Sequence, residues 1–156
     1  MYRGPLRGRR RRAISCKYLS YSYEQEGEIV RIKLPLLRVR LVHHGRSILT
    51  IALIDSGSTA TFLQREIASL LNLESVGTTE VVAAGGRIMA DIAALEALEL
   101  MKGGQVFGEF REVFVLVPQQ DGLPYSILGR DTIFQVFDIQ FRERSARFIL
   151  RKPRIR

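Results

Sequence analysis

The chain has 156 residues, 46% hydrophobic and 26% charged, a balance that gives one domain a core and excludes global disorder. One cysteine, Cys16, excludes an intrachain disulfide framework and any multi-cysteine metal site, and the only histidines, His43 and His44, are adjacent and expected on opposite faces of a strand. The net charge of +8 belongs to an arm: of 24 bases, seven lie in residues 1–17 (Arg3, Arg7, Arg9, Arg10, Arg11, Arg12, Lys17) without one acid, so 17 bases face 16 acids elsewhere.

Residues 1–24 read as a basic flexible arm, broken by Gly4, Pro5 and Gly8 and extended by repulsion along Arg9–Arg12. Such charge suits nucleic acid or an anionic membrane surface, with Tyr18, Tyr21 and Tyr23 available for stacking. The plainer reading is a solvated tail or a removable leader, since no nucleic-acid fold motif accompanies the charge. No run approaches the roughly 20 apolar residues of a membrane span, and the start lacks the apolar segment of a signal peptide, so a cytoplasmic protein is the default expectation.

Residues 25–150 read as one mostly-β domain, and 151–156 as a basic C-terminal tail. Val30, Ile32 and Leu34, then Leu37, Val39 and Leu41, alternate with bases at a period of two, and His43 to Arg46 reads as a hairpin turn. Ser47 to Ile54 is apolar on both faces, as in a central buried strand, and runs directly into Asp55. Residues 62–73 predict a helix, with Thr61 and Gln64 as a capping box and Ile67, Leu70 and Leu71 along one face. Strands are expected near 78–82, 87–100, 105–110 and 112–117, separated by Gly85-Gly86 and Gly103-Gly104. A loop over 118–124, a short strand at 126–128, a short helix at 130–136 and a closing hairpin over 137–150 complete the domain.

The chemistry concentrates at Asp55-Ser56-Gly57-Ser58-Thr59. A carboxylate where an apolar strand ends needs donors or a partner, because an unpaired buried charge is costly. The four following residues offer backbone N–H groups and hydroxyls, and Gly57 lets the backbone come close. A turn that caps the next helix explains the segment as well on spacing alone. The remaining aspartates stand in other settings: Asp91 in a strand, Asp121 in a turn, Asp131 in a helix first turn and Asp138 at a hairpin start. There is no Gly-x-Ser-x-Gly elbow, phosphate-binding loop or dinucleotide fingerprint, and no cofactor or metal is expected.

Leu53-Ile54-Asp55-Ser56-Gly57-Ser58-Thr59-Ala60 resembles the active-site segment of retroviral-type aspartic proteases, the retropepsins. Ser126-Ile127-Leu128-Gly129-Arg130-Asp131 resembles their second signature, and Val82 to Gly86 falls where the family carries its glycine-rich flap. The ordered matches resemble those of cellular single-domain members over residues 28–150. The resemblance implies a closed β-barrel with two short helices, active as a two-fold homodimer, because the chain holds one such aspartate and the reaction needs two. Asp55 is then the catalytic carboxylate of an aspartic endopeptidase, sharing one proton with its copy in the partner. Ser56 and Gly57 support the loop, while Ser58, Thr59, Ala83, Ala84, Gly85, Gly86 and Ile127 contact an extended peptide with apolar side chains near the cut. Arg130 is structural, but the position where the family carries its carboxylate partner is Thr59, so Asp131, Glu66 or a backbone carbonyl must serve. Two readings stay beside this one: a retropepsin-fold dimerisation or peptide-binding module with little catalysis, and a nucleic-acid-binding protein whose β domain only dimerises.

Overall fold

A computed structural model describes residues 2–3, 13–83 and 85–153. The alternation of Leu37, Val39 and Leu41 becomes strand β5 (Leu36–His43), which turns through His44 and Gly45 into β6 (Arg46–Ile54). Both turn residues have positive φ, 45° and 78°, the hand that matches the twist of the flanking strands. That conformation swings His44 onto His43, ring centroids 4.0 Å apart, so the two histidines stack where opposite faces were expected.

The expectation of a wholly central β6 holds only at its end. There β10 (Ser126–Leu128) runs parallel to Ala52–Ile54 on one side while β5 lines the other. Three residues cannot cover nine, and Leu49 is 69% exposed. Next come β7 (Ser75–Ala83), β8 (Gly86–Lys102) and β9 (Gln105–Pro118), an antiparallel meander. The break expected near residue 111 is a local kink inside β9. Glu112 takes φ 53°, yet Leu95 still faces Val113 and Ala97 still faces Arg111.

The closed barrel implied by the resemblance is not formed. Among the described residues the main sheet is open: its order runs from β1 (Tyr2–Arg3) through β9, β8, β5 and β6 to β10, and β7 pairs β8 off that path. Two separate sheets complete the structure: β11 (Asp138–Arg142), β12 (Arg147–Arg151) and β2 (Ala13–Lys17), and a hairpin of β3 (Leu19–Gln25) with β4 (Glu28–Leu34).

The second half of the expected basic arm is thus strand. Ile14, Cys16 and Tyr18 alternate toward the interior, Cys16 and Tyr18 reach the core, and the Tyr18 hydroxyl donates to Glu143 at 2.7 Å. The Arg9–Arg12 run lies outside the described residues.

Both helices are shorter than expected, α1 at Arg65–Leu70 and α2 at Ile133–Val136. The capping box does not form: Gln64 is the N-cap without a side-chain cap bond, and its amide donates to the Leu123 carbonyl at 2.9 Å. Ala68 and Leu71 face the core and Leu70 faces solvent. The core is built from Val39, Leu41, Leu71, Leu95, Leu98, Leu100 and Phe148, all fully buried. Among the described residues no helix is long and apolar enough to cross a membrane.

Candidate active site

Asp55 leaves the sheet where β6 has β5 on one side and β10 on the other. Its backbone N–H donates to the Leu128 carbonyl at 3.2 Å, which ties the start of the loop to the end of β10. Its side chain is half-buried, and Oδ1 accepts the Gly57 N–H at 2.8 Å. The Ser58 N–H donates to the Asp55 carbonyl at 3.3 Å, closing a tight turn around the carboxylate. A Cβ on residue 57 would stand 3.1 Å from Oδ1, so glycine lets the N–H reach the carboxylate without crowding it. Ser56, Gly57 and Thr59 are exposed, and the Ser58 hydroxyl donates to the Ala60 carbonyl at 2.7 Å.

The chain then passes between β9 and β10. Phe62 and Ile127 exchange backbone bonds of 2.9 and 2.8 Å, the Leu63 N–H donates to Leu116 at 2.9 Å, and the Leu116 N–H donates back to Thr61 at 2.9 Å. Ile127 is half-buried in this weave. The Asp55 loop is therefore held from behind by backbone bonds, a rigid mount for its carboxylate.

Sequence reasoning missed the anchor of that mount. Thr61, read as a helix cap, is fully buried, and its hydroxyl donates to Asp131 Oδ1 at 2.8 Å. Thr61 Oγ1 also lies 2.8 Å from Thr132 Oγ1 and accepts the Gly129 N–H at 3.2 Å. Asp131 Oδ2 accepts the Thr61 N–H at 3.2 Å, so this carboxylate braces two loops in addition to standing before α2. Gly129 touches the loop so closely that a Cβ there would overlap the Ala60 carbonyl. The polar residues at 61, 129, 131 and 132 lie some 70 positions apart in pairs, and only Gly129 and Asp131 stand in the second signature.

Arg130 has an exposed side chain and forms no ion pair among the described residues. Neither Asp131 nor Glu66 serves it. Its backbone does the anchoring: the N–H donates to the Ser58 carbonyl at 2.9 Å, and the carbonyl accepts the Gln135 amide at 2.7 Å. The flap segment is the tip of the β7–β8 hairpin, where Ala83 pairs with Gly86, whose φ is 116°. Ala83, Gly85 and Gly86 are exposed, and Ala84 lies outside the described residues. No hydrogen bond or ion pair joins that tip to the Asp55 loop among the described residues.

Tyr125, just before β10, is a second neighbour that sequence reasoning missed. Burial raises its phenol above the usual range, and the charges of Tyr21 and then Asp55 raise it further, so the Asp55 carboxylate lies within electrostatic reach. No cluster of three histidine, cysteine, aspartate or glutamate side chains among the described residues could hold a metal ion.

The model of a family described as aspartyl protease matches residues 41–132, from β5 through the Asp55 loop to Thr132. No curated protein matches the chain. Among solved structures, a retropepsin-like aspartic protease from Rickettsia conorii is 15% identical with a TM-score of 0.57, over 88% of this chain and 98% of that one. EIAV protease, solved with the inhibitor HBY-793, is 21% identical with a TM-score of 0.47, over 66% of this chain and 88% of that one. The Rickettsia likeness is one of fold, and it agrees with a mostly-β chain carrying two short helices. By the match that spans its Asp55 loop and its second signature, this chain, whose fold is like that of a retropepsin-like protease, belongs to the aspartyl protease family.

Proposed function

We propose that the chain is an aspartic endopeptidase that works as a homodimer, with Asp55 of each copy meeting at a two-fold axis. The observation that carries this reading is a single half-buried carboxylate, mounted by Leu128 and Gly57 at the end of β6, in a chain of that family. One such carboxylate is half of the acid–base pair that peptide hydrolysis by water requires.

In the dimer, one Asp55 carboxylate takes a proton from water as its oxygen attacks the peptide carbonyl carbon. The other Asp55, protonated, donates its proton to the carbonyl oxygen. The tetrahedral intermediate then breaks its C–N bond: the leaving nitrogen receives the proton first taken from water, and a hydroxyl proton of the intermediate returns to the carboxylate that had donated one, which restores the shared-proton pair. Atoms balance as one water added and two peptides released, with no cofactor. Ser56 reaches across the axis to the other loop, and the Gly57 carbonyl meets the substrate backbone. The segment Ala83 to Gly86 closes over an extended peptide, with apolar side chains preferred near the cut through Ile127. Residues 25–150 form the catalytic domain, and the cytoplasmic location expected from the sequence belongs to this proposal.

The test is digestion of a peptide library across a pH series by wild type and Asp55→Asn, with sedimentation run alongside. Wild type cuts, Asp55→Asn loses about 10²- to 10⁴-fold in rate while remaining dimeric, and specific activity falls on dilution as dimers part. Full activity in Asp55→Asn refutes the assignment. A wild-type dimer inert on the whole library leaves the binding-module reading in its place.

A further inference from the structure

The β3–β4 hairpin belongs to neither larger sheet, and a two-stranded hairpin alone is marginally stable in water. Its register pairs Leu19 with Leu34, Tyr21 with Ile32 and Tyr23 with Val30, so one face is apolar up to the turn, where Gln25 pairs with Glu28 on that same face. The other face carries Ser20, Lys33, Ser22, Arg31 and Glu24, with Ile29 among them. The apolar face packs on the segment that leads into β10, whose Leu128 carbonyl holds the Asp55 N–H. Tyr21 meets Tyr125 edge-on, centroids 5.3 Å apart at 81°, and Tyr125 is the residue that feels the Asp55 carboxylate. Tyr23 lies against Tyr21 at 6.2 Å and 27°. The face is only partly covered, since Tyr23 and Ile32 are each 37% exposed.

We propose that this hairpin is a specificity wall of the Asp55 site, where Tyr21 and Tyr23, continued by Tyr125, receive an aromatic side chain of an extended peptide substrate. The proposal rests on the reading of Asp55 as the catalytic carboxylate. The wall joins the mount of Asp55 through Tyr125, which leads into β10, and its ring-bearing part carries no charged side chain, Glu28 standing beyond it at the turn, so that part selects for apolar surface. Aromatic rings pair edge-on or offset with rings already in place, which distinguishes phenylalanine from alanine by more than area. An expected arm for nucleic-acid stacking thus has a different use: Tyr18 is committed to the core, and Tyr21 packs on Tyr125 with Tyr23 beside it.

The experiment uses two fluorescently labelled peptides, identical except for phenylalanine or alanine beside the cut. Binding to the Asp55→Asn protein is read by anisotropy, and kcat/KM is read with the Asp55 enzyme. The phenylalanine peptide is preferred in both, and Tyr21→Ala lowers the preference about tenfold, the scale on which a pocket contact discriminates. Tyr21→Phe keeps it, because the ring and not the hydroxyl does the selecting. Tyr23→Ala, a change at a more exposed ring that does not threaten folding, lowers it about threefold. A preference unchanged in Tyr21→Ala and Tyr23→Ala overturns the proposal, as does an effect of these variants on sedimentation alone, which makes the hairpin a contact between copies. Tyrosine-dependent binding of a peptide that wild type never cuts leaves the wall standing and removes the protease reading. Failure of both peptides to bind removes both.

Discussion

Replacing Thr61 by valine exchanges one oxygen for a methyl group of similar shape, so neither a cavity nor overpacking accompanies the change. The loss is therefore that of the hydroxyl bonds alone. Thr61 Oγ1 serves Asp131 and Thr132 at 2.8 Å each and Gly129 N–H at 3.2 Å. Gly129 and Thr132 are buried, and an orphaned buried donor costs about 1–3 kcal/mol. Asp131 is exposed and keeps the Thr61 N–H, so water offsets most of its share. Thr132 keeps the Gly129 carbonyl at 3.3 Å. The sum is a destabilisation of about 1–3 kcal/mol, nearly all of it from the Gly129 N–H. Thr61→Ser is the control, since it keeps the oxygen and loses one methyl, worth about 1 kcal/mol. Urea unfolding of the three proteins at one fixed protein concentration measures both, because the stability of a dimer depends on concentration. Thr61→Val as stable as Thr61→Ser would show that the hydroxyl cluster is not what secures the loop.

Gly129→Ala drives a Cβ into the Ala60 backbone, which cannot yield as a side-chain tip would, and overpacking of this kind costs about 1–3 kcal/mol or more. Leu128 beside it holds the Asp55 N–H, so kcat/KM falls together with the melting temperature; an enzyme with both unchanged contradicts the close approach. At high pH the phenols of Tyr2 and Tyr18 govern a second effect. Burial pushes Tyr2 up to about 12, and burial followed by the Glu143 bond pushes Tyr18 up to about 12, against about 10 in the unfolded chain. Between these values the folded protein holds protons that the unfolded chain has released. Their contribution is complete below pH 10 and drains away as pH rises toward 12. Near-ultraviolet absorbance and unfolding followed over that window test this: Tyr2→Phe with Tyr18→Phe flattens the alkaline decline, and an equally steep decline in the double variant overturns it.

Much of the architecture was legible because strand alternation is local. The pairs β5–β6 and β7–β8, the short β10 and the closing hairpin follow from spacing and glycine placement. The Asp55 segment and the second signature stood out for the same reason, as contiguous residues whose family resemblance agrees with the family match. Misreadings arose where a local signal had a non-local competitor. Thr61 and Gln64 have the spacing of a capping box, yet Thr61 finds three polar partners at 129, 131 and 132, and a buried hydroxyl with partners outweighs a cap. The basic run concealed the alternation of Ile14, Cys16 and Tyr18, which gain a core position only because β12 returns beside β2.

The sequence by itself determined which carboxylate is exceptional, that it follows an apolar strand, and that a glycine-bearing loop follows it. It did so because backbone periodicity and motif spacing are written in neighbouring residues. Only the tertiary structure decided that the main sheet stays open, that Arg130 anchors through its backbone, and that the Tyr21 hairpin meets Tyr125 at the start of β10. Those features depend on which distant segments exclude water together, and the free energy of that burial belongs to pairs of residues about 70 to 130 positions apart, where no local pattern records it.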